Sequence, residues 1–198
     1  MRSFKSIILV GIIAGTSFNA GVCQIKGKVN TEANKTKYQA NTIVYIEKAN
    51  GSFKPPAKNP VMNQKNLVFV PHVLPVVAGT TVDFLNSDDV VHNVFSPDQC
   101  CKFDLGGYTK GLSKSQKFEK TGCQAVILCN VHPEMEAYVI VLQNPWFAVT
   151  DNEGNYKIEN VPAGDYVLKV WNEKLKAKDQ PITVPASGKL EVNFNLTK

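Results

Sequence analysis

Apolar residues recur along the chain in short runs rich in β-branched and aromatic types, separated by Gly, Pro, Asn and Asp, and helical periodicity is almost absent. That pattern belongs to β-sandwiches and barrels, so it predicts an all-β protein. The runs place strands over Gln24–Val29, Thr42–Glu47, Leu67–Val70, Val73–Val77, Thr80–Asn86, Val91–Phe95, Lys117–Glu119, Ala125–Leu128 and Tyr138–Leu142. Further strands are expected over Phe147–Thr150, Tyr156–Glu159, Asp165–Trp171, Gln180–Val184 and Lys189–Leu196. The stretch Gly106–Ser115 is rich in Gly, Lys and Ser and reads as a loop. Asp151-Asn152-Glu153-Gly154-Asn155 reads as a hairpin turn, with Gly154 free to take positive φ.

The N-terminus departs from this pattern. Met1-Arg2-Ser3-Phe4-Lys5 is a basic start, and the apolar run Ile7–Ala14 behind it is too short to span a bilayer. Small and polar residues follow through Gly21, so residues 1–23 are expected to be a secretory signal peptide, cleaved somewhere within 20–24. A lipoprotein-type tether through Cys23 is the alternative to release, although Val22 is bulky where such a signal wants a small residue. No other run approaches membrane length, which predicts a periplasmic or otherwise exported protein without a transmembrane segment after signal removal.

Charge narrows the partners. There are 22 Lys+Arg against 17 Asp+Glu, and removing Arg2 and Lys5 with the leader leaves 20 cations, all lysine. A mature chain without arginine lacks the planar bidentate donor suited to phosphates and base edges, so nucleic acid is not expected as a partner. Export permits disulfides. The cysteines are Cys23, Cys100, Cys101, Cys123 and Cys129. Assigning Cys129 to a metal and setting Cys23 aside leaves three; Cys101–Cys123 is taken as the pair, although sequence alone does not fix it.

The residues that carry chemistry are His92, Cys129, His132 and Met135. The last three form Cys129-Asn130-Val131-His132-Pro133-Glu134-Met135, a C-x2-H-x2-M loop. One thiolate, two imidazoles and a thioether make a soft, mixed site suited to copper rather than to magnesium or calcium. Three strong ligands with a weak axial sulfur describe a type 1, or blue, copper centre. A strand that ends at Cys129 lets one loop carry three ligands back to one ion, while His92 must arrive from a distant strand. His72, behind Pro71 in an apolar stretch, is given no ligand role.

These residues resemble cupredoxins, and among them the amicyanin and plastocyanin-like type associated with methylamine utilisation. The resemblance runs from Lys54 to Leu142. Val77–Asn86 looks like the strand before the first copper histidine, Asp88–Val94 like the histidine strand, and Phe118–Gly122 like the entry to the cysteine strand. The resemblance implies a Greek-key sandwich holding one type 1 copper ion, with Asn93 bracing the ligand loop. It differs at Ala125 and Ile127, where aromatics are common, and at the Cys100-Cys101 pair.

A second resemblance covers the ends of the chain. Val149-Thr150-Asp151-x-x-Gly154-x-Tyr156-x-Ile158-x-x-Val161-Pro162-Ala163-Gly164-x-Tyr166-x-Leu168 is similar to the carboxypeptidase regulatory-like domain, a small transthyretin-like β-sandwich. Gly27-Lys28-Val29 and Ala40–Ile46 fit its two opening strands, but they lie far upstream. The expected organisation is therefore a cupredoxin domain, 51–143, inserted in or flanked by a regulatory-like sandwich made of 24–50 plus 144–198. We favour insertion over an independent N-terminal arm.

The resulting reading is a one-electron carrier between exported redox partners, such as a c-type cytochrome or a dehydrogenase. The alternative is a periplasmic copper-handling protein without an electron-transfer role. An enzyme is not expected: nitrite reductases and multicopper oxidases need further histidine-bound coppers, and after His92 and His132 only His72 remains. Pro75, Val90, Pro133 and Met135 are expected to form the apolar contact patch near His132.

Overall fold

The computed structural model describes residues 22–32 and 38–198, so the proposed signal peptide lies outside the described residues apart from Val22 and Cys23. The described residues form seventeen strands and no helix. In chain order these are β1 (Val22–Asn30), β2 (Ile43–Ile46), β3 (Val61–Lys65), β4 (Val68–Val70), β5 (Val73–Val77) and β6 (Thr80–Asn86). There follow β7 (His92–Ser96), β8 (Phe103–Tyr108), β9 (Ser113–Phe118), β10 (Gln124–Leu128), β11 (Glu136–Leu142) and β12 (Phe147–Val149). The chain ends with β13 (Asn155–Pro162), β14 (Gly164–Trp171), β15 (Gln180–Val184), β16 (Gly188–Glu191) and β17 (Phe194–Asn195).

Four sheets result, and their side chains stack them into two sandwiches. The first sandwich packs the sheet β4-β3-β6-β9 on the sheet β5-β11-β10-β7-β8. Its core includes Met62, Phe84 and Phe118 from one sheet and Val94, Ile127 and Val139 from the other. Strand β6 shows the cause most plainly: it alternates buried and half-buried positions along its whole length, as a sheet with one core face requires.

The second sandwich takes strands from both ends of the chain. β1 pairs antiparallel with β13 and parallel with β16 and β17, while β2 lies between β12 and β14. Ile25, Val44, Ile46, Ile158 and Leu168 share its core. Everything between β2 and β12 belongs to the first sandwich. Two glycines permit this closure. A Cβ on Gly27 would meet the Val192 carbonyl oxygen at 1.7 Å, and one on Gly154, at φ +82°, would meet that of Val29 at 2.3 Å.

The two sandwiches share an apolar seam. Along β11, Ala137, Val139 and Val141 enter the first core, whereas Ile140 and Leu142 face Ile43 of β2 with Tyr45, Phe147 and Trp171 around them. β11 is thus covered on both faces, which explains its nearly unbroken apolar sequence.

Three expectations need correction. Gly106–Ser115 is not a loop: β8 and β9 extend into it, leaving only a turn at 109–112, because β8 pairs with β7 and β9 with β6 at the ends of their sheets. Edge strands accept the Gly, Lys and Ser that suggested a loop. Lys189–Leu196 breaks into β16 and β17 where Val192 turns inward, its amide donating to the Lys26 carbonyl. The disulfide joins Cys100, not Cys101, to Cys123, with Cα atoms 5.6 Å apart. Cys101 sits one residue further on in a turn, its amide donating to Asp98 O, which leaves the preceding cysteine to meet Cys123.

Candidate metal centre

Strand β10 ends at Leu128 and β11 begins at Glu136, and these two residues face each other in register. The ladder therefore closes a loop of fixed ends that contains Cys129, His132 and Met135. Within it the Met135 amide donates to the His132 carbonyl at 3.0 Å, folding the loop back on itself. His92 opens β7, which reaches β10 through the Phe95–Leu128 pair. Local strand pairing thus brings His92 to the loop.

The donor atoms converge. His92 Nδ1 lies 2.9 Å from His132 Nδ1 and 3.8 Å from Cys129 Sγ. The three donor atoms all fall within 4.8 Å of one another. Met135 is 1% exposed and belongs to the same core cluster as Cys129. His92 and Cys129 are also buried, so only His132 among the four reaches the surface.

The surroundings set the histidine tautomer. His92 Nε2 lies 2.9 Å from Asp88 Oδ2. An ionised carboxylate only accepts, so Nε2 carries the proton and the Nδ1 lone pair faces the other donors. Asp88 also accepts from the Asn66 amide at 2.6 Å and the Leu67 amide at 3.0 Å. Burial pushes its carboxyl up, but the Leu67 amide, His92 and the Asn66 amide together hold it below the usual carboxylate range. Asn86 secures the connecting loop, donating to the carbonyls of Val90 and Tyr108 and accepting from the Asp88 amide. On the other side Asn93 Oδ1 accepts from the Asn130 amide at 2.7 Å, tying the histidine strand to the ligand loop.

Sequence reasoning assigned no role to Asp88. Its position four residues before His92, in the run Ser87-Asp88-Asp89, was the available signal. His72 stands apart from the cluster, with its ring nitrogens against Glu136 and Glu173.

The expected contact patch is only half present. Val90 is 44% exposed and Pro133 is exposed, but Pro75 and Met135 are buried. Other exposed apolar side chains come from loops bonded to the same end: Leu67 on the turn held by Asp88, Val91 beside His92, Leu112 bonded through its carbonyl to Asn86, and Val131 beside His132. Cys23, the alternative lipid attachment point, is 2% exposed inside the second sandwich core.

Residues 133–197 match the carboxypeptidase regulatory-like domain. The match begins just after His132, takes in β11 of the first sandwich and runs through β12–β17 of the second, where β1 pairs with β13 and β2 with β12 and β14. No curated protein matches the chain. Among solved structures, a reduced amicyanin variant is similar at 22% identity, over 44% of this chain and 91% of its own, with a TM-score of 0.40. A novel purple cupredoxin from Nitrosopumilus maritimus is similar at 25% identity, over 42% of this chain and 99% of its own, with a TM-score of 0.38. A Cu-containing nitrite reductase from Thermus scotoductus is similar at 25% identity, over 48% of this chain and 25% of its own, with a TM-score of 0.41. No helix among the described residues is long and apolar enough to cross a membrane.

Proposed function

We propose that this protein is a type 1 copper protein that carries single electrons between exported redox partners. The observation that supports this most is the convergence of His92 Nδ1, Cys129 Sγ and His132 Nδ1, with His92 held in the metal-binding tautomer by Asp88. One thiolate and two imidazoles also suit zinc. The buried thioether of Met135, in one cluster with Cys129, adds a soft fourth group and favours copper. Copper held by His92, Cys129, His132 and Met135 would supply exchange between Cu(I) and Cu(II).

The chain's own residues favour a carrier over an enzyme. Three of the four ligand residues are buried, and the partly exposed His132 lies beside Val131, which is 52% exposed. Apolar side chains beside one partly exposed imidazole suit brief docking of another protein more than capture of a small substrate. Near the site, Lys110 pairs with Asp89 at 2.8 Å. Such an exposed pair offsets its own charges and contributes little to steering a partner.

In the same reading, 51–143 is the copper domain inserted into the regulatory-like sandwich of 24–50 plus 144–198, which anchors both of its ends. Voltammetry of the copper-loaded protein tests the carrier role. The carrier reading expects fast, reversible one-electron exchange. A protein that binds Cu(I) tightly and never cycles contradicts it.

A further inference from the structure

His72 lies outside the metal site, where the two sandwiches meet. Its Nδ1 is 3.1 Å from the carbonyl oxygen of Glu136 in β11, and its Nε2 is 2.8 Å from Oε2 of Glu173, just beyond β14. Both partners can only accept hydrogen bonds when Glu173 is ionised. A neutral imidazole has one N–H, so in either tautomer one of these contacts opposes two lone pairs. Only the imidazolium donates at both nitrogens.

We infer that His72 is a pH-operated latch between the sandwiches: charged, it joins Glu136 to Glu173, and neutral, it keeps the carbonyl and releases Glu173. The carbonyl is the fixed partner, because the Tyr138 amide donates back to the His72 carbonyl and locks this corner to β11. Glu173 is the movable one. Lys174 Nζ lies 3.9 Å from its other oxygen, and a cavity of about 130 Å³, lined by Tyr38, Asn41, Asn172 and Glu173 itself, gives its side chain room.

The other groups around the ring do not replace the proton. The Glu136 carboxylate takes the hydroxyl of Tyr138. Tyr138 meets the imidazole edge-on, with ring centroids 5.6 Å apart. Burial, Glu136 and Glu173 push its phenol up, so it stays neutral. Trp171 meets Tyr138 at a tilt, with ring centroids 5.2 Å apart, and donates to Gln124. The apolar seam holds the sandwiches together whichever state the latch takes, so opening it loosens one corner and leaves the fold intact. The latch stabilises the closed corner while the ring is charged, and it is lost when rising pH neutralises the ring.

Nitrogen NMR of the labelled mature protein tests this directly, with His72→Gln identifying the signals. Both His72 ring nitrogens are expected to carry protons while the corner is joined, and raising the pH is expected to remove one together with the contact to Glu173. Glu173→Gln, which keeps size and polarity, is expected to make that second proton easier to remove. The stability advantage of wild type over Glu173→Gln is expected to shrink as the pH is raised. A joined corner with a single protonated ring nitrogen, or a loss of the second proton that Glu173→Gln leaves in place, overturns the latch.

Discussion

Asp88 Oδ2 lies 2.9 Å from Nε2 of His92, and the same carboxylate caps the amides of Asn66 and Leu67. One side chain therefore fixes the orientation of the buried His92 ring and the turn between β3 and β4. Asp88→Asn keeps the shape but removes the charge that fixes the proton on Nε2. Copper affinity is expected to fall by about 10–100-fold, read by competition with a chelator. The carboxyl is lowered in the folded protein, so its contribution to stability is present above the ordinary carboxylate range and lost as pH falls through the lowered value. The stability gap between wild type and Asp88→Asn, measured by urea unfolding of the metal-free protein, should therefore close in acid.

The two-sided burial of β11 makes the seam energetically important. Ile140 is 3% exposed and faces the second sandwich. Ile140→Ala is expected to lower stability by about 2–5 kcal/mol, seen as an earlier urea midpoint. An unchanged midpoint means that the two sandwiches do not pack through this face.

Gly154 turns the β12–β13 connection at φ +82°, directly against the Val29 carbonyl. An alanine there meets both backbone strain and a clash, so Gly154→Ala should cost more than about 1 kcal/mol. Thermal unfolding checks it. A neutral result contradicts the close approach of β1 to this turn.

The cysteines make distinguishable predictions. Peptide mapping under non-reducing conditions should find Cys100 joined to Cys123. In the folded, copper-loaded protein only Cys101 should accept an alkylating reagent, since Cys23 and Cys129 are buried. Burial pushes the Cys101 thiol up, and the charge of Asp98 adds to this, so labelling should be slow at neutral pH and quicken in alkali. Because β1 pairs from Val22 onward, intact mass should show Cys23 retained and unmodified. A lipidated Cys23 contradicts the packing of β1.

Much of the fold was legible because its strands carry their own periodicity. The alternation of Thr80–Asn86 and the β-branched runs of β5, β11 and β14 announce strands from local sequence. What stayed hidden depends on distant partners. Val61–Lys65 reads as polar, yet Gln64 is buried because its amide meets the hydroxyl of Tyr108 at 2.6 Å. β8 and β9 look like loop for the same reason: their neighbours, not their composition, make them strands. At the site, the C-x2-H-x2-M loop declares itself within seven residues. The Asp88 contact needs the fold, because two adjacent aspartates precede His92 and only the chain path selects one. The choice between Cys100 and Cys101 likewise rests on a turn that sequence does not fix.

The most direct test is the visible spectrum of the mature protein after Cu(II) is added, compared with that of Cys129→Ser. The account predicts an intense thiolate-to-copper band in the wild type and its loss in the variant, with His92→Ala and His132→Ala also weakening it. A colourless wild-type protein, or a spectrum that Cys129→Ser leaves unchanged, contradicts the assignment of His92, Cys129 and His132 to a type 1 copper ion.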